Sequence, residues 1–211
     1  MNSANSVCVY VTISAGTPWA AASLPNTAEY CLRNGYSLVA RNLPYAVALA
    51  ESQREIVSLL STHDLVFCID ADCLITNHTT RIDCIDGVGD HVTVCEEGMW
   101  WLPQNRINCG AMIYKATHDT VKFLLAVQQA EPEWRDTKRF PYATQSWIAA
   151  NADFFKDALK IAAPRTFNSV AWEWHGGGTT WQPGDFVFHP CCHPPEKRLR
   201  ILREKMSEVV R

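Results

Sequence analysis

Apolar, β-branched runs alternate along this chain with stretches of helical periodicity. The first run, Ser6–Ile13, predicts a buried central strand. It ends in the turn cluster Ser14-Ala15-Gly16-Thr17-Pro18. Helical spacing follows from about Pro25 to Asn34 and stops at Gly35, a residue suited to a left-handed cap. Tyr36–Ala40 predicts a second strand. Residues 46–60 carry the strongest helix pattern, with Val47, Leu49, Ile56, Leu59 and Leu60 recurring at helical spacing. The run Leu65–Ile75 has strand character but is broken by two carboxylates, Asp70 and Asp72. Further strands are predicted at His91–Cys95, Asn108–Tyr114 and Gly184–Pro190. Helices are predicted from an N-cap signal at Thr117 to about Gln128 and from Pro141 to Ala150. From Pro195 to Arg211 the charges alternate on a helical pattern, which predicts a solvated C-terminal helix that leads on to any further domains. The alternation implies an α/β fold in one domain over residues 1–211, with a mixed, mostly parallel central sheet flanked by helices.

Composition narrows the class. The 211 residues are 47% hydrophobic with a net charge of −3, which fits a globular domain and argues against a nucleic-acid binder with its basic stripe. No run of about 18 apolar residues and no signal segment is visible, so a soluble, cytoplasmic protein is expected, in the host cytoplasm if the protein is viral. Nine cysteines, mostly in apolar runs, fit the free thiols of a reducing compartment. Cys191-Cys192 beside His189 and His193 lacks the paired spacing of structural zinc sites.

The chemistry concentrates at Asp70-Ala71-Asp72. Carboxylates at the end of a buried strand project at the carboxyl edge of the sheet, where open α/β folds bind ligands. Residues i and i+2 of extended backbone lie on one side, and two carboxylates crowded there call for a cation between them or a proton on one. Oxygen ligands suit Mg²⁺ or Mn²⁺ with positions left for phosphate. The same pattern also fits a strand end with two solvated carboxylates. Neither a G-x-G-x-x-G nor a P-loop follows the first strand. Arg54, in the middle of its helix, fits either a solvated face or a contact to the nucleotide. The loop Trp172–Gly178, with Trp174, His175 and three glycines, has the composition of a mobile wall for an acceptor, or of a surface turn.

Several motifs recur in order: Asn26-x-x-x-Tyr30 with Asn34-Gly35-Tyr36, Asp70-Ala71-Asp72 with Leu74-Ile75, and Asn108-x-Gly110-Ala111. Gln145 with Trp147, Asn168-Ser169 and Gly184-Asp185-Phe186-Val187-x-His189 follow. In this order the chain resembles the GT-A (Rossmann-like) nucleotide-sugar glycosyltransferases. Its pattern is similar to the yeast-type α-galactosyl/α-mannosyltransferases, a group that includes plant xyloglucan xylosyltransferases. Within that class it resembles the N-terminal part of the multidomain chlorovirus enzymes that build capsid glycans, which implies a viral protein with a glycan or glycoprotein acceptor. The resemblance implies a UDP-sugar donor carrying a hexose or deoxyhexose, and Mn²⁺ or Mg²⁺ held by Asp70, Asp72 and His189. Tyr10 and Thr12 would touch the nucleotide, as would Arg54, Asp70, Ala71 and Asp72. Asn108, Gly110 and Ala111 would line the donor sugar pocket, and Gln145 would face the reacting sugar. The family usually has an acidic residue before this Gln, whereas this chain has Thr144. Glu96 and Glu97, after a strand end, are then the candidate bases, followed by Asp119 and Asp136. Two other classes use some of the same residues: a metal-dependent nucleotidyltransferase or phosphohydrolase, and a carbohydrate-binding module exploiting the eight Trp.

Overall fold

A computed structural model describes residues 6–14, 17–97, 106–171, 180–191 and 193–211. The first run forms β1 (Val7–Ser14), followed by α1 (Ala20–Asn34), β2 (Ser37–Leu43), α2 (Tyr45–Leu59) and β3 (Leu65–Asp70). Then come β4 (Leu74–Ile75), β5 (Val92–Glu96), β6 (Ile107–Lys115), α3 (His118–Gln129), α4 (Glu131–Trp134) and α5 (Thr144–Ala150). The chain closes with β7 (Leu159–Ala162), β8 (Ser169–Val170), β9 (Val187–His189) and α6 (Pro195–Lys205).

Six strands make the main sheet, in the order β2-β1-β3-β6-β5-β7. β1 runs parallel to β2 and β3, and β5 parallel to β7, while β6 runs antiparallel to both β3 and β5. Five strands thus share one direction and β6 opposes them, the mixed and mostly parallel sheet that the alternating pattern predicts. A smaller sheet, β4-β9-β8, packs beside it.

Period-two alternation sorts the core into two layers. Cys8 and Tyr10 of β1, with Val66 of β3, join the layer under α2, α3 and α5, which holds Ile56, Phe123, Trp147 and Phe155. Val7, Val9 and Val11, with Leu65, Phe67 and Ile69, join the opposite layer with Tyr30, Phe167 and Phe186. Thr12 and Asp70 are register partners at the carboxyl ends of these strands, and by parity both face the α2 side. Trp134 and Trp147 are buried core residues, not exposed platforms.

The run Leu65–Ile75 is not one strand. The Cys73 amide donates to the Asp70 carbonyl at 3.0 Å, closing a tight turn over the two carboxylates, and β4 then joins the other sheet. Helix α1 holds both sides of that turn: the Ser23 hydroxyl donates to the Ala71 carbonyl, and the Asn26 amide bridges the N–H and C=O of Ile75. Asn26 and Tyr30, the latter bonded to the Thr80 carbonyl at 2.8 Å, are therefore fastenings of the segment after the turn.

Other elements shift for identifiable reasons. α1 begins five residues before Pro25, which lies within it. α5 begins at Thr144 and not at 141, because Ala143 takes φ 48°, ψ −122° and blocks backward extension of the helix. β7, α4 and β8 are too short for a periodic pattern to reveal. The C-terminal segment forms the expected helix, α6, with most of its surface in solvent, but one side turns inward: Leu202 is fully buried and Arg198 points into the site described below. All eight described cysteines are free thiols. No helix among the described residues is long and apolar enough to cross a membrane.

Asp185 fastens the approach to β9. It accepts from Nε and Nη2 of Arg165 at 2.8 and 2.7 Å, from the Ser169 hydroxyl at 2.8 Å and from the Gln182 backbone N–H at 2.9 Å. Burial alone would raise its pKa, but Arg165, the Gln182 N–H and Ser169 hold it below the usual carboxylate range. A carboxyl with a depressed folded pKa contributes its stability above the unfolded value of about 3.9 and loses it as pH falls through the folded value. Asp185→Asn is expected to lower stability at neutral pH by about 2 kcal/mol and to flatten the loss of stability below about pH 4. Urea unfolding of both proteins across that range measures it.

Candidate active site

Three strand ends build the site. β1 brings Thr12, β3 brings Asp70 into the turn with Ala71 and Asp72, and antiparallel β6 starts there with Asn108, Cys109 and Gly110. The β5–β6 ladder slips at this point: Val94 pairs with Met112, but Cys95 pairs with Asn108. Cys109, Gly110 and Ala111 thus form a bulge, a device that re-aims backbone beside a site. Gln145 of α5 braces it, its side-chain carbonyl accepting the Cys109 amide at 3.0 Å.

His189, at the end of β9, lies against the bulge. A Cβ on Gly110 would sit 2.1 Å from the imidazole Cε1, so this position has no room for any side chain while the ring is seated. His189 Nε2 faces Asp72 Oδ1 at 3.5 Å, and its Nδ1 lies 3.1 Å from Asn108 Oδ1. Arg198 of α6 places Nη1 2.7 Å from Asp72 Oδ2, with its guanidinium 4.5 Å above the Trp19 ring. Its Nε is buried and without a partner.

The charges are strongly coupled. Asp70 opens into the cavity but is ringed by protein, and lost hydration together with the Asp72 carboxylate pushes its pKa up to about 6. Burial would also raise Asp72, yet His189 and Arg198 hold it below the usual range. For His189, burial favours the neutral ring, but Asp72 outweighs it and raises the pKa. Among the described residues, ligand atoms of Asp72, Cys73 and His189 lie within 4.8 Å of one another. Burial pushes the Cys73 thiol far above its ordinary range, and it donates to the Gly110 carbonyl at 3.2 Å. That hydrogen bond turns the Cys73 thiol to the β6 backbone, and the carboxylate and imidazole beside it form a ligand set of hard oxygen and nitrogen donors.

A cavity of about 610 Å³ opens from this cluster. Thr12, Asp70, Ala71, Asp72, Glu97, Asn108, Gly110, Gln145 and His189 all line it, so the structure brings these predicted residues together. Others stand apart. Tyr10 is fully buried in the core, its hydroxyl 3.5 Å from that of Ser52, which is hydrogen-bonded to Thr12. Ala111 packs in the opposite core layer. Arg54 is exposed and paired with Glu51, and neither it nor Glu96 lines the cavity. Asp119 pairs with Lys122 on the surface of α3, and Asp136 caps the Lys138 amide. Trp174, His175 and the glycines of their loop lie outside the described residues.

Two lining residues escape a reading of the sequence. Arg198 sits in a charged run that looks like a solvated face. Gln53 lies on α2, buried, with its Oε1 lacking a partner. Its only signal is a polar side chain on the helix face that also carries Ile56.

No protein-family model and no curated protein matches this sequence. Solved structures do, and they share the GT-A glycosyltransferase fold, which is the fold of this chain. A glycosyltransferase involved in glycosylating the major capsid of PBCV-1 superposes with a TM-score of 0.73 at 15% identity, covering 94% of this chain and 99% of that one. The galactosyltransferase LgtC, in complex with donor and acceptor sugar analogues, gives 0.58 at 11% identity over 97% and 96% of the two chains. The glycosyltransferase GlyE of Streptococcus pneumoniae TIGR4 gives 0.57 at 14% identity, covering 97% of this chain and 65% of that one.

Gly110→Ala is expected to destabilise the protein by about 1–3 kcal/mol, the range for an overpacked interior. The cost should shrink when His189→Ala removes the ring. A double-mutant cycle by thermal unfolding measures that coupling.

Proposed function

We propose that this protein is a metal-dependent glycosyltransferase that moves a hexose or deoxyhexose from a nucleoside diphosphate, with UDP-sugar the preferred donor, to a glycan acceptor. The observation that carries this reading is the set Asp70 and Asp72, at and just after the carboxyl end of β3, and His189, at the end of β9, on the rim of a cavity of about 610 Å³. A neutral His189 with its proton on Nδ1 turns a lone pair on Nε2 toward an Asp72 oxygen 3.5 Å away. Two acceptors facing each other in a buried site need a cation or a proton between them. The donor set, carboxylate oxygens and one imidazole nitrogen, suits Mn²⁺ or Mg²⁺. Asp72 and His189 would hold the ion, with Asp70 beside it. The capsid-glycan acceptor rests on analogy with a glycosyltransferase involved in the glycosylation of the major capsid of PBCV-1, and UDP on its being the commoner donor in the family the chain resembles.

When bound, the ion supplies charge neutralisation to the departing diphosphate. Arg198 is the other cation at this carboxylate, and its swing from Asp72 to a phosphate oxygen would add a second positive charge there. Gln53 offers a buried carbonyl oxygen to a donor hydroxyl. Gln145 is fixed by the Cys109 amide, which leaves its NH₂ group for the reacting sugar. Glu97 is, besides Asp72, a buried carboxylate on the cavity wall, and we assign it the acceptor proton: the acceptor oxygen bonds to the anomeric carbon, the bond to the phosphate oxygen breaks, and the proton passes to Glu97. A phosphohydrolase or nucleotidyltransferase would want a phosphate loop after the first strand, and the sequence carries none there. A binding module would need no site of this charge.

Calorimetry with UDP-sugars, with and without Mn²⁺, tests the reading, followed by a screen of nucleotide sugars for Mn²⁺-dependent hydrolysis. Asp72→Ala should abolish Mn²⁺-dependent donor binding, and donor binding that persists in this variant overturns the assignment. Glu97→Gln should lower kcat by about 10²-fold or more while leaving the donor Kd within a few-fold of the wild type. An unchanged kcat removes Glu97 as the base.

A further inference from the structure

Asn168-Ser169 stands out in the sequence, yet Asn168 does not line the cavity and has no part in the chemistry above. It lies just before β8, almost fully buried, and its Nδ2 donates to Asn108 Oδ1 at 2.9 Å. The same Asn108 oxygen accepts the backbone N–H of Gly110 at 3.0 Å and lies 3.1 Å from His189 Nδ1. Asn108 Nδ2 turns away, toward the Cys191 sulfur at 3.7 Å. These contacts join β6, the entry to β8 and the end of β9.

The proton positions follow from one group that cannot be reassigned. A backbone N–H is always a donor, so the Asn108 atom facing Gly110 is oxygen and the amide orientation is set. That oxygen cannot donate, so the His189 nitrogen facing it must carry a hydrogen. Asn168 must likewise present its NH₂ group there, because its own oxygen would face both the side-chain and the main-chain oxygen of Asn108. Gly110 supplies the room as well as the N–H, since a side chain there would occupy the ring's place.

We infer that Asn108 and Asn168 are positioning residues for His189: they hold its neutral ring in the Nδ1–H tautomer and aim the Nε2 lone pair at Asp72. The inference rests on the metal-site reading above for its purpose, but the tautomer itself is a property of the metal-free protein. Partners of this kind on the far nitrogen of a ligating imidazole typically change metal affinity by about 10- to 100-fold when removed. They act through His189, so Asn108 can hold the ring in addition to lining the donor cavity.

Two measurements test it. Long-range ¹H–¹⁵N correlation spectra of the metal-free protein at alkaline pH, with the His189 signals assigned by comparison with His189→Gln, are expected to show protonated Nδ1 and bare Nε2. Mn²⁺ alone, titrated by calorimetry, is expected to bind Asn108→Ala and Asn168→Ala about 10- to 100-fold more weakly than wild type. Asn108→Asp, which keeps the acceptor oxygen, should restore both the tautomer and the affinity, and thermal unfolding confirms that each variant is folded. A neutral ring with its hydrogen on Nε2 and a bare Nδ1 in the wild type overturns the inference, as does wild-type Mn²⁺ affinity in folded Asn108→Ala. If the wild type binds no Mn²⁺ but shows the Nδ1–H tautomer, the seat is supported and the metal reading is the one that fails.

Discussion

A carboxylate left only 4% exposed dictates the arrangement around it. Asp72 cannot stay charged in that position unless its charge is offset, because an isolated buried charge costs far more than a fold of this size can absorb. His189 reaches one of its oxygens and Arg198 the other. Both arrive from the C-terminal part of the chain, on different elements, and each is itself held: His189 by Asn108 and the gap at Gly110, Arg198 by the Trp19 face and the His193 carbonyl. The small sheet β4-β9-β8 and the helix α6 are in effect the mounting for these two side chains.

The sheet contributes a break in its own regularity. A uniform ladder would carry β6 past the ends of β1 and β3 as a flat edge. The three-residue slip opposite Val94 and Cys95 instead lifts Gly110 out of the ladder and against the imidazole, and Gln145 caps the freed Cys109 amide so that no buried donor is left over. The Asp70–Cys73 turn does the matching task on the other side by detaching Asp72 from the strand that holds Asp70. Two local departures from strand geometry, one on each side of the gap, create the space in which a ligand can meet both carboxylates.

Much of this was visible in the residues alone. The apolar runs of β1 and β3 and the long helix α2 have patterns that only buried α/β elements produce, and the two carboxylates after Ile69 interrupt such a run too sharply to be incidental. Gly110 beside Asn108 also signals a close approach. What the sequence did not disclose has a common cause. Arg198 lies in a segment whose charges look alike, and nothing local shows that one of them folds inward over Trp19. Gln53 sits on a helix whose pattern is dominated by its apolar face. Ala143 gives no hint of its positive φ, since nothing in its identity favours that conformation. β7 and β8 are four and two residues long and owe their strand geometry to the neighbours they pair with, not to their own composition.

The contact between Asp72 and Arg198 spans 126 residues of chain. On a ribosome that span is a delay. β1, β2 and β3 can pair, and α2 can dock on them, while the residues that neutralise Asp72 have yet to be synthesised. In that interval Asp70 and Asp72 stand as an uncompensated acidic pair on a half-built sheet. Contacts this distant in sequence form late, because the closure entropy of the loop must be met first. The order of synthesis therefore separates the building of the scaffold from the completion of the charged centre.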